Sequence, residues 1–470
     1  MVSRLLVLLA LCLLPLVAAG QSIVATGSGR VQSVPSCQGV EVFRGIPYAA
    51  PPVGPLRWRA PQPAATWDTV RLCSQWPCTP YQLAPDIHTK FYSIEYRDTV
   101  PAVISEDCLA VNVWVPAGER ANLPVMVWLH GGAFWTGRSF SAEFWPDSLV
   151  RRGVIVVTVG YRLGVAGFFA HPDLAKEAGT PGSGNYGLMD QIAALRWVRR
   201  NITAFGGDTA RITLFGESAG AGAVQLLIGS PMARGLFSRA IMQSGGGYRN
   251  VIFPVGKRWS QGFGRGLMKY AKCPSIDSLR RMPMRQLDRL ALRYYSHRLK
   301  IPFLWPTIDG VVLTESPWHA TQRGHDMPIP TLVGYTKNDL FGPIMKRAAR
   351  KWGKIKAQQG QPVWVYSFDR DLPGHMGKKP GNSGAPHTAE LRYVFGTLGS
   401  SWRPWREADW QLSHRIITYW TNFAKTGNPN LPDTTATEWP CYNGSGKTIL
   451  HLDVPKGTAP QAPNSAQPTK

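Results

Sequence analysis

The chain has 470 residues, 44% hydrophobic and 17% charged, with a formal net charge of +23. That balance excludes a disordered or low-complexity protein and supplies enough apolar residues for a large buried core. The positive excess raises nucleic acid as a partner, but no nucleic-acid-binding motif accompanies it, so none is expected.

In chain order the first element is a leader. Met1 to Arg4 makes a positive start, Leu5 to Val17 an apolar run, and Ala18, Ala19 and Gly20 a small-residue cleavage site. This is the pattern of a secretory signal peptide. The run is shorter than the roughly 20 residues that span a bilayer. Residues 1–20 are therefore expected to be removed, leaving a secreted or periplasmic chain with no membrane span. Of seven cysteines, Cys12 leaves with the leader. The other six (Cys37, Cys73, Cys78, Cys108, Cys273 and Cys441) suit disulfides in an oxidising compartment, with a pairing that number alone does not fix. No zinc-ribbon spacing occurs, and no metal or cofactor is expected.

Short β-branched runs follow at Pro124 to Leu129, Val154 to Val159, Ile212 to Phe215, Ala240 to Gln243, Thr331 to Val333 and Val363 to Phe368. They alternate with helix-length segments such as Leu188 to Arg200, whose apolar residues recur at helical spacing. The alternation predicts an α/β protein with a mostly parallel sheet covered by helices on both faces. No repeat or polar linker divides residues 21–454, which read as one domain. Gly374 to Gly384 reads as a loose loop, and 455–470, rich in Pro, Ala, Gln and Ser, as a disordered tail.

The positive charge is concentrated in Lys257 to Lys300, with Arg258, Arg265, Lys269, Arg280, Arg281, Arg285, Arg289, Arg293 and Arg298. It gathers again at Lys346, Arg347, Arg350, Lys351, Lys354 and Lys356. Such stretches form solvated basic faces, associate weakly with an anionic envelope surface, or steer an anionic ester.

Chemistry centres on Gly216-Glu217-Ser218-Ala219-Gly220, between the strand Ile212 to Phe215 and a helix at Ala223 to Ile228. A serine flanked by glycines two residues away on each side, placed strand to helix, is a nucleophile elbow. Its hydroxyl needs a base, and the attacked carbonyl needs donors for its oxyanion. His130-Gly131-Gly132-Ala133-Phe134 follows the strand Pro124 to Leu129. The amides of Gly132 and Ala133, with that of Ala219, are the expected oxyanion hole. Trp135, Phe134 and Glu217 are candidates for the substrate pocket.

The chain resembles the type B carboxylesterase and cholinesterase-like family of α/β-hydrolases. The likeness rests on Phe43 to Ala49, Pro51 to Gly54, Ser105 to Leu109, His130 to Phe134, Tyr161 to Gly164, Asn185 to Gln191 and Phe205 to Asp208. It continues through the elbow, Gln243 to Gly245 and Phe423 to Asn430, in family order over nearly the whole mature chain. It implies an α/β-hydrolase fold and hydrolysis of a small-molecule carboxylic ester through an acyl-enzyme. It also implies that His387, in Pro386-His387-Thr388-Ala389-Glu390, is the base. The family's acid is a Glu in a strand-end loop, where this chain has Asp339; Asp309 and Glu390 are the fallbacks. Only 48 residues separate Asp339 from His387, fewer than in the family. A deleted helical insertion accounts for this, and implies a shortened cap over a shallower, more open entrance. The resemblance further implies a Cys78–Cys108 disulfide, with Cys73 the rival partner of Cys108. Asp98 replaces the aromatic residue with which relatives bind choline, so cholinesterase activity is not expected. Two alternatives stand beside an esterase: an inactive, binding or adhesion homologue, and a lactone-, amide- or polyester-cleaving enzyme with the same triad.

Overall fold

A computed structural model describes residues 21–82, 95, 100–247, 255–299, 304–374, 384–430 and 437–455. The expected leader (residues 1–20), Asp98, most of the loop from Gly374 to Gly384, and the residues beyond Pro455 lie outside the described residues. Ten strands form the main sheet. They are β1 (Val34–Pro35), β2 (Val40–Pro47), β3 (Ala110–Pro116), β4 (Leu123–Leu129), β5 (Ile155–Val159), β6 (Gly207–Glu217), β7 (Arg239–Gln243), β8 (Thr331–Thr336), β9 (Val363–Phe368) and β10 (Leu450–Leu452). Their spatial order is β10-β9-β8-β7-β6-β4-β5-β3-β2-β1. Every pairing from β10 to β5 is parallel, and those joining β5, β3, β2 and β1 are antiparallel. Each run expected to be a strand is one. The largest difference is β6, which begins five residues earlier than the apolar signal because Gly207 already pairs with Leu123.

Six helices matter below: α1 (Tyr186–Asn201), α2 (Ala219–Ile228), α3 (Lys257–Tyr270), α4 (Met284–Leu299), α5 (Pro343–Gln358) and α6 (Glu407–Thr426). The sheet separates two apolar cores, as the strand period of two requires. On β4, Val125, Val127 and Leu129 face the core that holds Leu195 of α1, Leu227 of α2 and Trp352 of α5. Met126 and Trp128 face the other, with Ile416, Trp420 and Phe423 of α6. β8 and β9 are joined through α5 alone, so the connection between the expected acid and the next strand is a single crossover helix.

Buried ion pairs tie loops to this frame. Arg162 Nε and Nη2 donate to Asp190 at 2.8 and 2.7 Å, and the Arg162 amide donates to Asp190 at 3.0 Å. Two segments that carry the family likeness are thus fastened together. Removing one partner strands the other charge in the core. Asp190→Ala is expected to lower stability by about 3 to 5 kcal/mol, readable as a lower urea midpoint. Two members of the basic stretches are also internal. Lys356 pairs with Asp326 at 3.0 Å, and Arg280 pairs with Glu177 and Asp277 at 2.7 Å.

Candidate active site

Ser218 stands between the last residue of β6 and the first of α2 with φ 56° and ψ −123°. This left-handed backbone costs on the order of 1–3 kcal/mol and must be held by its surroundings. Holding it are the Ser218 amide, which donates to Gln243 O at 2.9 Å, and the Ser218 carbonyl, which accepts from the Gly222 amide at 2.9 Å. The flanking glycines are required by contact. A Cβ on Gly220 would lie 2.0 Å from Leu129 O, and one on Gly216 would lie 2.6 Å from the Gly220 backbone. Gly245 serves likewise, since a Cβ there would lie 2.0 Å from Ser218 O.

Two later loops bring the partners. After β8 the Asn338 amide donates to Ala385 O at 2.9 Å, and its side-chain oxygen accepts from the Ala385 amide at 3.0 Å. This small parallel bridge fixes the residues on either side of it, Asp339 and His387. His387 Nδ1 lies 2.6 Å from Asp339 Oδ1, and His387 Nε2 lies 2.8 Å from Ser218 Oγ. Asp339 also accepts from the amides of Thr336 at 3.1 Å and Leu340 at 2.8 Å. Burial works to raise its pKa, but the bond and charge of His387, with bonds from the Thr336 amide and the Ser244 hydroxyl, outweigh that and hold it below the usual carboxylate value. Ser218 keeps partial exposure, whereas Asp339 and His387 are buried. The arrangement can take a proton from the serine and return it to a leaving group.

The glycine-rich loop presents two peptide groups whose orientation is locked from behind. A peptide is planar, with its C=O and N–H pointing opposite ways, so bonding one aims the other. His130 Nδ1 lies 2.8 Å from Gly131 O, which turns the Gly132 N–H the other way. Gly132 O accepts from the amides of Trp135 and Thr136, both at 2.9 Å, which turns out the Ala133 N–H. With Ala219 at the first turn of α2, these three amides donate to no partner among the described residues. His130 stacks on Tyr161 at 4.5 Å, and burial pushes its pKa down to about 4 against the effect of its bond to Gly131, so it stays neutral. His130→Leu is expected to lower kcat by roughly 10- to 100-fold with little change in KM, since donors are misaimed rather than removed. His130→Asn, which keeps a donor, recovers most of the loss; steady-state kinetics on the three proteins reads this out.

Electrostatics adds a second carboxyl. Glu217 Oε1 lies 3.2 Å from His387 Nε2. Burial, with the charges of Glu390 and Asp339, raises the Glu217 carboxyl well above its ordinary value, while His387 opposes the rise. Burial of His387 works to depress its pKa. The Glu217 and Asp339 carboxylates overcome this and push it up to about 9. Glu217 is coupled in turn to the buried Glu390 carboxyl, and both carboxyls lie above their ordinary values. Below a raised pKa the base is protonated and idle, so kcat/KM should rise with pH along an acid limb centred above 6.5. Glu217→Gln removes one source of negative charge and should move that limb to lower pH. A pH–rate profile of both proteins checks this, and a wild-type limb at or below 6.5 contradicts it.

The other candidates fall into different places. Phe134 and Trp135 are buried; Phe134 packs edge-on against Phe168 at 5.1 Å, and Trp135 lies against Gly164. Both brace the loop from beneath. Asp309 caps a turn by accepting from the amides of Val311 and Leu313 at 3.1 and 2.9 Å. Glu390 is buried beside Ser244 and Tyr366, and burial with the Asp339 charge pushes its pKa up to about 7. The expected Cys78–Cys108 disulfide is not formed, and all six cysteines are thiols. Burial first, then the Asp190 charge, raises the Cys108 pKa. Sequence reasoning gave no role to Asn338 or Ser244. The signal for Ser244 was its place in Gln243-Ser244-Gly245, one residue beyond β7, with φ 49°.

A largely parallel sheet that lifts one strained serine above a central strand is the α/β-hydrolase fold. Within that class the chain belongs to the carboxylesterase family, whose sequence profile matches residues 21–354 and again 340–469. Residues 340–354 fall in both matches, where the single crossover helix α5 stands. The chain is similar to para-nitrobenzyl esterase of Bacillus subtilis, at 34% identity over 92% of this chain and 94% of that protein. It is similar to fumonisin B1 esterase of Sphingopyxis macrogoltabida, at 32% over 95% and 89%. Among solved structures, a thermophilic PNB esterase superposes with a TM-score of 0.80 at 33% identity, covering 92% of this chain and 96% of that one. Carboxylic ester hydrolysis is the activity of this protein. Among the described residues no helix is long and apolar enough to cross a membrane.

Proposed function

We propose that the protein is an exported carboxylesterase in which Ser218 is the nucleophile, His387 the general base and acid, and Asp339 the orienting acid. The supporting observation is the unbroken chain from Asp339 through His387 to Ser218, at 2.6 and 2.8 Å. His387 takes the Ser218 proton as Oγ attacks the ester carbonyl carbon. The tetrahedral oxyanion is received by the amides of Gly132, Ala133 and Ala219. Collapse expels the alcohol, which takes the proton from His387, and leaves an acyl-serine that water hydrolyses with His387 again as base.

The substrate is a small-molecule ester with a bulky acyl or alcohol group, admitted by an entrance that the single helix between β8 and β9 leaves short of cover. Export follows from the leader, with cleavage after residue 20. A fluorophosphonate probe should label the folded protein on Ser218 alone; no labelling defeats the enzyme mechanism and favours the inactive homologue. An ester panel varied separately in acyl size, alcohol size and charge tests the substrate, and a strong preference for very small esters sinks the open entrance. The mass of the protein recovered from a secreting host tests cleavage.

A further inference from the structure

Helix α5 has no acidic residue along its length and turns Lys346, Arg347, Lys351 and Lys354 to solvent. Its one cation in an ion pair among the described residues is the internal Lys356. Ile344, Arg347, Lys351 and Lys354 recur at spacings of three and four, so they make one stripe along the helix. That stripe begins at an apolar tip. Leu340 is 58% exposed, Phe341 44% and Ile344 44%, three large apolar side chains within five positions directly after Asp339. A single exposed leucine is ordinary on a protein surface; a contiguous apolar tip running into an uncompensated cationic stripe is not.

We propose that this face docks the enzyme on an anionic lipid bilayer, with Leu340, Phe341 and Ile344 entering the headgroup region and the cations of α5 resting on the anionic headgroups. The two halves of the surface select the occupant. A soluble polyanion would satisfy the charges but leave the apolar tip in water. A neutral membrane would take the tip but gain nothing from the charges. Only an anionic interface pairs with both. The Leu340 amide bonds Asp339 at 2.8 Å, so the docking tip and the triad acid are parts of one loop, and docking sets the serine centre at the lipid surface. Lipid esters and other interfacial substrates would then reach it without crossing bulk water.

The test is co-sedimentation of the Ser218→Ala protein with vesicles of phosphatidylcholine alone or mixed equally with phosphatidylglycerol, which reads binding apart from any hydrolysis. Binding is expected to the mixed vesicles, at least tenfold tighter than to phosphatidylcholine, and to weaken as salt rises. Phe341→Ser with Ile344→Ser, and Lys346, Arg347, Lys351 and Lys354 all changed to Gln, should each reduce it tenfold or more. Changing Arg258, Arg265 and Lys269 of α3 to Gln should alter it less than twofold. The same substitutions in the active protein should leave turnover of a soluble para-nitrophenyl ester unchanged, which shows that the fold is intact. Equal binding to both vesicles, no binding to either, or loss through the α3 set instead overturns the proposal. So does a fall in turnover of a soluble anionic ester on neutralising α5 with vesicle binding intact, which would make the stripe a steering surface. Failure of Ser218 labelling would defeat the catalytic assignment without touching this result.

Discussion

Ser218→Ala is expected to lower kcat by roughly 10⁵- to 10⁶-fold while KM changes by no more than a few-fold. The size follows from what remains. Without Oγ there is no acyl-enzyme, and His387 can only direct a water held by no protein group in the place of the lost oxygen. The amides of Gly132, Ala133 and Ala219 still meet the substrate carbonyl, so residual catalysis of roughly 10³- to 10⁴-fold over water should persist. The fold should be indifferent. Ser218 is held in its left-handed backbone by bonds to Gln243 O and from the Gly222 amide, and neither uses the hydroxyl. Steady-state kinetics on one activated ester, with thermal melting as the control, decides the matter. Activity within a hundredfold of wild type would place the nucleophile elsewhere.

Asp339→Asn is expected to cost about 10⁴-fold in kcat, again with KM nearly constant. Asp339 accepts from His387 Nδ1 and from two amides, and a neutral amide cannot repeat this pattern. Its NH₂ group would either face a backbone N–H or press the imidazole into the tautomer that places a hydrogen on Nε2, toward Ser218. A base already protonated at Nε2 cannot accept the serine proton. Asp339→Glu keeps the charge but adds a methylene inside a buried site, so partial activity is the expected result. Glu390→Gln and Asp309→Asn separate this reading from its rivals. Neither side chain is hydrogen-bonded to His387 among the described residues, and each should lose less than about tenfold if its part is structural. A larger loss in Glu390→Gln than in Asp339→Asn would transfer the acid to Glu390.

How much of this could be read from the chain depended on how local each signal was. Ser218 and the loop from His130 to Phe134 are legible because strain and close approach demand small residues at fixed offsets. The structure supplies the reasons in Gly216, Gly220 and Gly245, each pressed against backbone. His387 lies 169 positions from Ser218, so nothing in its spacing points to the serine, and its segment's likeness to relatives carried it. Asp339 was harder still, because a shortened connection removed the usual distance to the base and left residues 340–354, directly after it, matching two parts of the family profile. For Glu217 the sequence carries no more than a place among the substrate-pocket candidates. Its effect on His387 comes from a side-chain direction at the end of β6 that the sequence does not carry. Trp135, a pocket candidate beside the oxyanion loop, is buried in the core against Gly164. The cysteines show the opposite limit, since an even number suggests pairs and none forms among the described residues.

The bridge between Asn338 and Pro386 makes one cooperative unit out of two loops that arrive from different strands. Opening it releases the acid and the base together, while the strained serine turn stays clamped by its own bonds to β7 and α2. Local openings of this kind cost less free energy than unfolding the whole chain. The enzyme is therefore expected to have an inactive but folded state a small step above its native one in free energy, in which a competent nucleophile waits for a base that has swung away. Heat or denaturant should populate that state first, so loss of turnover precedes loss of the sheet and is reversed on return to mild conditions.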